Sequence, residues 1–400
     1  MRICLIARRF YENNTHMQQF ASLLADRGDT VDVISARRPG TPALESSGRI
    51  NVYRIGERNT EESGWLVYIV KVFAFLLRAT AFVSRKHKQT PYDLVHVQSI
   101  PDFLVFSAIP AKLSGTPVIL DLRDLVPELF MSRFKLSEHS ILLKLLKLIE
   151  RWSARFADHV VVASPIWYER VTRRSTDRSK CTTIWYSPDL SLFSRRLAAP
   201  CGDRFVMMYP GSLSPHQGVD LAVRAMPEIA AAIPGAELHI YGEGKARESL
   251  VSLASELGVS GAIRFFDMVR VSVLVKRMAE AHVAIVPKRA SDPFGNEAAS
   301  TKIPEFQAIG VPVVASSTDI ETRLYDSSEV CFFRSDDVTD LVRAVLSVHD
   351  DPELAERLSQ NGWERVKSRA QEFEEAYLGL VDALVSRKKP RTSKGLLARS

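Results

Sequence analysis

The sequence predicts an α/β protein with two Rossmann-like domains, each built on a doubly wound parallel sheet, on either side of a central cleft. Its 400 residues exceed what one hydrophobic core usually serves. Short apolar runs typical of buried strands alternate with stretches of helical spacing, which is the pattern of a mostly parallel sheet. The alternation stops near the middle of the chain and then starts again, so the same architecture is predicted twice.

The first domain begins with a predicted βαβ unit. The opening run MRICLIA predicts a buried strand, residues 16 to 26 carry helical spacing that ends near Gly28, and TVDVISA predicts a second strand. Further predicted strands are DLVHVQS, TPVILDL and HVVVAS, with an apolar helix at residues 103 to 113. Such a sheet binds ligands at the carboxyl ends of its strands.

The second domain is predicted to begin with the strand in RFVMMYPGSL. Its later strands are ELHIYGEG, IRFFDMV, AHVAIVP and VPVVASS. Residues 186 to 203 contain Pro188, Pro200 and Gly202 without a clear period, which indicates an interdomain linker. We therefore predict a first domain at residues 1–195, a second at residues 196–385 and a basic disordered tail at residues 386–400. The alternative for the last helix is a return to the first domain.

Composition and charge narrow the class of protein and its partners. With 46% hydrophobic and 25% charged residues, the chain has the balance of a soluble globular protein. The net charge of +6 and the pI of about 9.1 favour phosphate groups, acidic lipid headgroups or nucleic acid as partners. Because no zinc-finger spacing, RNA-binding aromatic signature or basic heptad array occurs, nucleic acid is not a predicted partner.

The cysteines and the first residues bear on the compartment. Cys4, Cys181, Cys201 and Cys331 lie far apart and form no Cys-x-x-Cys pair, so neither a zinc site nor a disulfide framework is predicted. Met1 leads directly into an apolar strand without the pattern of a secretory signal. A cytoplasmic location is therefore expected.

Residues 64 to 83 form an apolar run nearly long enough to span a bilayer. Lys71 and Arg78 interrupt it, so no transmembrane helix is predicted. Two interpretations stay open, namely an amphipathic helix packed on the sheet and shallow insertion beside anionic headgroups. The last fifteen residues are basic without acidic side chains, which is typical of a solvated tail or of a weak contact with an anionic leaflet. A peripheral position on the inner face of a membrane is thus a further expectation.

Glu297 and Glu305 form the most specific pattern in the sequence, separated by seven residues in NEAASTKIPEFQAIG. Thr301 is a predicted N-cap, Pro304 suits a first helical turn, and Gly310 can end the helix. Glu305 would then lie one turn into the helix and Glu297 in the loop before it. The two glutamates would lie on either side of a helix N-terminus, where backbone amides and the helix dipole favour a phosphate.

Lys302 and a glycine-bearing loop accompany this motif. Lys302 adds a positive charge in the first turn, where the dipole alone would prefer an anion. MYPGSLSPHQGVDLAVRA predicts a strand that ends at Gly211 and a loop to Gly218 before a helix, which lets backbone approach a diphosphate. The alternative is that Lys302 and both glutamates are ordinary solvent-exposed side chains.

These segments, taken together, resemble the retaining glycosyltransferases of family 4, which share the two-domain GT-B fold. The similar blocks run in the same order and spacing: YDLVHVQSIPDFLVFSAIPAKL, VILDLRDLVPE, YPGSL, GVDLAVRA, LHIYGEG, IRFFDMV and STKIPEFQAIGVPVVAS. They are most similar to bacterial members that build exopolysaccharide or surface glycans. The resemblance implies transfer of a sugar from a nucleotide diphosphate sugar to a hydroxyl of a lipid-linked or polymeric glycan acceptor, with retention of configuration.

The resemblance also implies roles for individual residues. Glu305 would bind the nucleotide ribose, and Glu297 would face the donor sugar. Backbone groups of the remaining positions would contact the sugar, the diphosphate and the nucleotide: Asn296, Ala298, Ala299, Gly211, Ser212, Gly242, Gly244 and residues 266 to 269.

This chain departs from the family pattern at several positions. Ser212 and Gln217 stand where an arginine and a lysine are common, so Lys302, Lys288 or Arg289 would have to stabilise the charge of the departing diphosphate. In the first domain, Arg123 stands where relatives often have a histidine. It would contact a phosphate while Asp124 positions an acceptor hydroxyl, or the two would form a buried ion pair at a strand end.

No metal or other cofactor is predicted. The sequence has no Asp-x-Asp triplet of the kind that holds a divalent metal over a diphosphate, and His16, His96, His216 and His282 lack metal-ligand spacing. Two other functions remain open at this point. One is a nucleotide-sugar epimerase, and the other is a non-catalytic family member that serves as a nucleotide-binding scaffold.

Overall fold

The computed structural model describes residues 1–58, 65–196 and 204–387. The predicted tail beyond residue 387 and the linker residues 197 to 203 lie outside these ranges. The chain divides into two compact units. One contains Met1–Pro127, His139–Ile184 and the segment that begins at Glu374, and the other contains Glu128–Glu138 and Trp185–Phe373.

The first unit is built on an eight-stranded sheet. Its strands are β1 (Arg2–Phe10), β2 (Thr30–Arg37), β3 (Leu44–Ser47), β4 (Ile50–Glu57), β5 (Leu94–Gln98), β6 (Val118–Leu122), β7 (His159–Val162) and β8 (Cys181–Thr183). Their order in the sheet is β3-β4-β2-β1-β5-β6-β7-β8, and every described pair is parallel except β3 with β4. Ile3, Leu5 and Ile6 in β1 are fully buried, because helices cover both faces of such a sheet.

The helices of the first unit begin and end at recognisable signals. They are α1 (Thr15–Asp26), α2 (Trp65–Gln89), α3 (Ile109–Lys112), α4 (Val126–Phe134, which reaches into the second unit's segment), α5 (Ile141–Phe156) and α6 (Pro165–Arg174). The side chain of Asn14 caps α1 by accepting a hydrogen bond from the Met17 amide. Gly28 follows with φ of +96°, as predicted for the end of this helix.

The second unit is built on a six-stranded parallel sheet. Its strands are β9 (Phe205–Pro210), β10 (Ala236–Tyr241), β11 (Ile263–Phe266), β12 (Val283–Val286), β13 (Val313–Ser316) and β14 (Cys331–Phe333), in the order β11-β10-β9-β12-β13-β14. The helices are α7 (Val219–Ala232), α8 (Arg247–Glu256), α9 (Val271–Met278), α10 (Pro293–Glu297), α11 (Lys302–Ile309), α12 (Asp319–Leu324), α13 (Val338–Asp350) and α14 (Pro352–Ser386), of which the residues from Glu374 belong to the first unit.

In the second sheet, the chain changes its direction across the sheet at one place, between β9 and β12. From β9 the chain first moves to β10 and β11 on one side, and later returns to β12 on the other side. β9 and β12 therefore flank the topological switch point, where the loops after two neighbouring strands diverge and leave a crevice. Two parallel-sheet α/β units confirm the fold class predicted from the sequence.

Candidate functional site

The segments after β9 and β12 bring most of the predicted site residues into the second unit. β9 ends at Pro210 and is followed by the loop that contains Gly211, Ser212 and Gln217. β12 ends at Val286 and is followed by Lys288 and Arg289. The Lys302 ammonium hydrogen-bonds to Gln217, so the start of α11 lies beside the loop after β9.

Gly211 and Lys302 are in direct contact. Gly211 has φ of +147°, and a Cβ placed on it would lie 2.5 Å from Lys302 Cε and 3.0 Å from Lys302 Nζ. Only glycine allows the lysine stem to lie so close to the loop. The Lys302 ammonium is 3.1 Å from Gln217 Oε1 and 5.0 Å from the centre of the Tyr209 ring. The alternative of a lysine extended into solvent is therefore wrong.

Gln217 and Tyr209 hold this lysine in place. The Tyr209 hydroxyl is 2.9 Å from the carbonyl oxygen of Ser212 and 3.3 Å from Gln217 Oε1. Gln217 Oε1 thus accepts from the lysine, while the single hydroxyl proton of Tyr209 is shared between Gln217 and the nearer Ser212 carbonyl. Gln217 therefore orients the Lys302 ammonium, and Ser212 contributes its carbonyl to the same cluster.

Burial shifts the pKa values of Lys302 and Glu305 toward each other. Loss of hydration lowers the pKa of Lys302 to about 8, although the nearby Glu305 carboxylate acts in the opposite direction. Burial raises the pKa of Glu305 to about 7, against the Tyr186 hydroxyl and Lys302, which both lower it. Two oppositely charged groups of one helical turn therefore titrate near neutral pH.

Tyr186 is a contact of Glu305 that the sequence did not predict. Its hydroxyl donates to Glu305 Oε1 at 2.9 Å, across 119 positions of the chain. Glu305 lies in the first turn of α11, as predicted, and its amide donates to the Thr301 carbonyl. No periodic signal marks Tyr186, since it lies in the irregular stretch that follows β8.

The ends of α11 are partly as predicted. Thr301 occupies the N-cap position, but its side chain makes no capping hydrogen bond. The cap comes from Ser300, whose hydroxyl oxygen accepts from the Lys302 amide at 3.3 Å. Gly310 ends the helix with φ of +82°, which confirms the predicted stop.

The segment around Glu297 differs from the predicted loop. Glu297 is the last residue of α10, whose N-cap Asp292 accepts from the Gly295 amide. The amides of Asn296 and Ala298 donate to the carbonyls of Asp292 and Phe294. These two amides, predicted to contact sugar or phosphate, are thus hydrogen-bonded within α10.

Asn296 and Ala299 have different surroundings in this segment. The Asn296 side chain pairs with Asp319 through two bonds of 2.8 Å, one from its own amide group and one from the Asp319 backbone amide. It thereby joins α10 to the start of α12. Ala299, the third predicted backbone contact, lies between α10 and α11.

Lys288 lies beneath this segment rather than on its surface. Its ammonium is 3.1 Å from Glu321 Oε1 and also donates to the Ala298 carbonyl, and the side chain is only 3% exposed. Glu321 Oε1 in turn accepts from the Ser300 amide at 2.9 Å. The pair therefore fixes the residues between α10 and α11.

Arg289 is likewise held by carboxylates. Its two terminal nitrogens lie 2.5 Å from Asp220 and 2.5 Å from Asp336. Burial alone would lower the pKa of Arg289, but these carboxylates raise it. Its charge is thus compensated within the second unit.

Gly242 and Gly244 allow the loops after β9 and β10 to pack closely. A Cβ on Gly242 would lie 1.9 Å from the Gly211 carbonyl oxygen, and one on Gly244 would lie 2.5 Å from that of Leu213. Phe266, at the end of β11, stacks on Tyr241 with 4.3 Å between ring centres. These predicted nucleotide-lining positions therefore border the Gly211 loop.

Arg123 and Asp124 belong to the first unit and form a separate group. Arg123 Nε is 2.8 Å from Asp121 Oδ2, and His96 lies 3.4 Å from the same carboxylate. Burial alone would raise the pKa of Asp121, but Arg123 and His96 hold it below its usual range. Arg123 is thus in a buried ion pair at a strand end, but its partner is Asp121 and not the predicted Asp124.

Asp124 has a different environment from its neighbour. It lies 3.6 Å from Arg9, and its side chain is 28% exposed. Burial raises its pKa, although Arg9 and Arg123 act against this shift.

Among the described residues, no group of three or more His, Cys, Asp or Glu side chains converges as a metal site.

Comparison with known proteins gives matches in both halves of the chain. Residues 195–365 match the family described as Glycosyl transferases group 1, and residues 14–186 match the Glycosyl transferase 4-like domain. D-inositol 3-phosphate glycosyltransferase of Thermomonospora curvata is 24% identical over 425 residues, which cover 96% of this chain and 93% of that relative. Lipopolysaccharide core biosynthesis glycosyltransferase LpsD of Rhizobium meliloti is 29% identical over 190 residues, which cover 46% of this chain and 52% of LpsD.

A solved structure matches the fold of both units. The structure of Anabaena Alr3699/HepE in complex with UDP-glucose aligns over 96% of this chain and 100% of that chain, with a TM-score of 0.70 and 14% identity. At that identity the likeness concerns the fold alone.

Proposed function

The chain is a glycosyltransferase of the GT-B fold that uses a nucleotide sugar, and on this premise we propose that the donor binds at the start of α11. The diphosphate would lie against the Lys302 ammonium and the Gly211 loop, and the ribose at Glu305. The observation that carries the proposal is the placement of the Lys302 ammonium against Gly211 and Gln217, one helical turn from Glu305.

Lys302 suits a diphosphate because its charge is held in place before the ligand arrives. Departure of the nucleotide diphosphate increases negative charge on the leaving oxygen, and a preorganised cation stabilises that charge without reorganisation. With a pKa of about 8, Lys302 is mostly protonated at neutral pH, and a bound anion would raise this pKa further.

Lys288 and Arg289, the other two predicted cations, are better suited to holding neighbouring segments in place than to binding the donor. Lys288 is paired with Glu321, and Arg289 with Asp220 and Asp336, so their charges are already compensated. Both follow β12 and hold segments that border the site. We therefore propose structural support rather than contact with the donor. Lys288 would support the residues between α10 and α11, and Arg289 would support the first turn of α7.

Glu305 would accept hydrogen bonds from ribose hydroxyls, as the family resemblance implies. The Tyr186 hydroxyl already donates to one of its oxygens, which supports the presence of a hydroxyl-binding carboxylate here. Glu297, at the end of α10, would face the transferred sugar, and transfer would proceed with retention of configuration.

For the acceptor, we propose a hydroxyl of a lipid-linked or polymeric glycan in the synthesis of a cell-surface glycan or exopolysaccharide. The name of the relative LpsD supports a surface glycan, and Asp124 is the side chain proposed to position the acceptor hydroxyl. The Arg123–Asp121 pair favours a structural role for Arg123. The enzyme would act without a bound metal and at the inner face of a membrane.

A screen of nucleotide sugars by thermal stabilisation tests the donor class. A donor present at about a hundred times its dissociation constant adds about 2.7 kcal/mol to the free energy of unfolding. The stabilising donor, labelled in its sugar, is then incubated with lipid and polysaccharide extracts, with and without a chelator. Label transferred equally in both conditions supports the proposal, whereas donor turnover without any acceptor indicates epimerisation or hydrolysis instead.

A further inference from the structure

The outward faces of α2, α3 and α5 in the first unit are unusually apolar. Among the described residues, the α2 segment Val67–Gln89 is long and apolar enough to cross a membrane by length and composition. One side of α2 nevertheless packs into the unit, because Val72, Phe75 and Ala79 are buried. The opposite side of α2 is exposed.

α5 has three distinct faces. Leu143, Ser153 and Ala154 are buried, while Ile141, Leu145 and Trp152 are 84%, 50% and 56% exposed. The exposed apolar residues recur at spacings of four and seven, so they lie on one side of the helix. Between the buried and the exposed apolar faces lies a basic flank with Lys144, Lys147, Arg151 and Arg155.

α2 repeats this arrangement. Opposite its buried residues, Val70, Phe73 and Leu77 recur at i, i+3 and i+7 and are 66%, 52% and 69% exposed. The exposed residues Arg78 and Arg85 lie along one edge of this apolar stripe. The helix contains no acidic residue.

The three helices lie on the same side of the sheet. The connections β4 to β5, β5 to β6 and β6 to β7 all advance in one direction across the sheet. Right-handed crossovers place such connections on one face. α2 and α5 both pack against the 3-10 segment Asp102–Ala108, where Phe103 stacks on Phe73 at 5.3 Å. Ile109 and Leu113, at α3, add exposed apolar area between them.

The charged side chains of the three helices are basic with one exception, and Asp158, which follows α5, is paired with Lys112 of α3. The only acidic residue in the three helices is Glu150, which is fully buried and paired with Arg174. A large exposed apolar surface marks an interaction site, and basic side chains beside it, without acidic ones, select an anionic partner.

We propose that the outward faces of α2, α3 and α5 form a docking surface for an anionic lipid bilayer. The apolar residues would enter the boundary between headgroups and acyl chains, and the basic flanks would contact the headgroups. Trp152 is suited to this boundary because its ring is both apolar and able to donate a hydrogen bond. This inference is independent of the donor site, so its failure would leave the proposed transfer untouched.

Flotation of the full chain with vesicles tests this surface without any donor. Vesicles of equal phosphatidylcholine and phosphatidylglycerol are compared with vesicles of phosphatidylcholine alone. We expect binding to the anionic vesicles only, with a loss of at least about thirtyfold for Lys144→Glu/Arg155→Glu, because two attractive charges are removed and two repulsive ones added. Leu145→Glu/Trp152→Glu should abolish binding. The matched controls lie on exposed positions of the second unit, Lys276→Glu/Lys367→Glu and Val251→Glu/Leu257→Glu, and should bind as the unmodified chain does.

A second measurement uses the unmodified chain and the conservative variant Trp152→Phe. Lipids brominated near the headgroup boundary should quench tryptophan fluorescence in anionic vesicles, and Trp152→Phe should remove most of the quenching. Equal binding to neutral vesicles, or unchanged binding by both α5 variants, would overturn the proposal. So would a self-association of the chain that the α5 variants abolish, because the face would then be an interface between two copies.

Discussion

The Tyr186 hydroxyl donates a hydrogen bond of 2.9 Å to Glu305 Oε1. This bond lowers the pKa of Glu305, while burial raises it more strongly, to about 7. Lys302, one turn earlier, has a pKa of about 8 because burial removes its hydration. The ionised glutamate and the protonated lysine are the forms that bind ribose hydroxyls and a diphosphate.

Donor affinity should therefore be highest between about pH 7 and about pH 8. Below this range Glu305 takes up a proton, and above it Lys302 loses one. Calorimetric titration across pH tests this directly. Glu305→Gln should remove the fall in affinity at low pH. Lys302→Arg should remove the fall at high pH, since arginine stays protonated. Tyr186→Phe should move the fall at low pH to higher pH, because the lost hydrogen bond lowers the pKa of Glu305. An affinity that is constant with pH would contradict the assignment.

Glu305→Ala should weaken donor binding about ten- to hundredfold, because a hydrogen bond to a charged acceptor contributes about 1.5–3 kcal/mol. Equilibrium titration with the donor found in the screen gives the dissociation constant. The matched control is Glu248→Ala, an exposed acidic residue in the first turn of α8. Equal affinities of Glu305→Ala and the control would remove Glu305 from the site.

Lys302→Ala should lower turnover more than donor affinity, because ground-state binding can also use loop amides and the helix dipole. At saturating donor we expect a loss of more than about tenfold, or ~1.4 kcal/mol. Lys288→Ala is a useful comparison. Leaving Glu321 buried without its partner should reduce the free energy of unfolding by about 3–5 kcal/mol, which a lower melting temperature would report. A rate for Lys302→Ala within about twofold of the unmodified enzyme would rule out its role.

Glu297→Ala should reduce turnover while donor affinity stays nearly constant, if this side chain faces the reacting sugar. An interaction made only in the transition state affects the rate constant and kcat/KM equally. Steady-state rates at several donor concentrations separate the two parameters. Turnover equal to that of the unmodified enzyme would contradict the proposal.

Gly218→Ala should disturb the loop that leads into α7 and lower the melting temperature. Gly218 has φ of +64°, and a Cβ there would lie 1.9 Å from the Pro287 carbonyl oxygen. Gly258→Ala is the matched control, since its φ is +70° and no atom lies within 4 Å of the added Cβ. Both substitutions carry the backbone cost of about 1 kcal/mol, so the difference between them measures the clash. Equal melting temperatures would show that the loop can move aside.

The alternation of strands and helices was predictable because strands covered on both faces contain unbroken apolar runs, as at residues 3 to 7 of β1 and 118 to 120 of β6. The stop of α11 at Gly310 was also predictable from local chemistry. α10 was missed, although Asp292 followed by Pro293 is a signal for a helix start. The pairs Tyr186–Glu305 and Lys288–Glu321 were not predictable, because they join residues 119 and 33 positions apart through tertiary packing.

The central claim is that the nucleotide sugar binds at the start of α11, against Lys302 and the Gly211 loop. Calorimetric titration of the stabilising donor into the unmodified chain and into Lys302→Ala/Glu305→Ala tests it most directly. We predict measurable binding to the unmodified chain and a loss of at least about a hundredfold in the double variant, or ~2.7 kcal/mol. Equal dissociation constants for the two proteins, with both folded, would place the donor elsewhere and contradict the account.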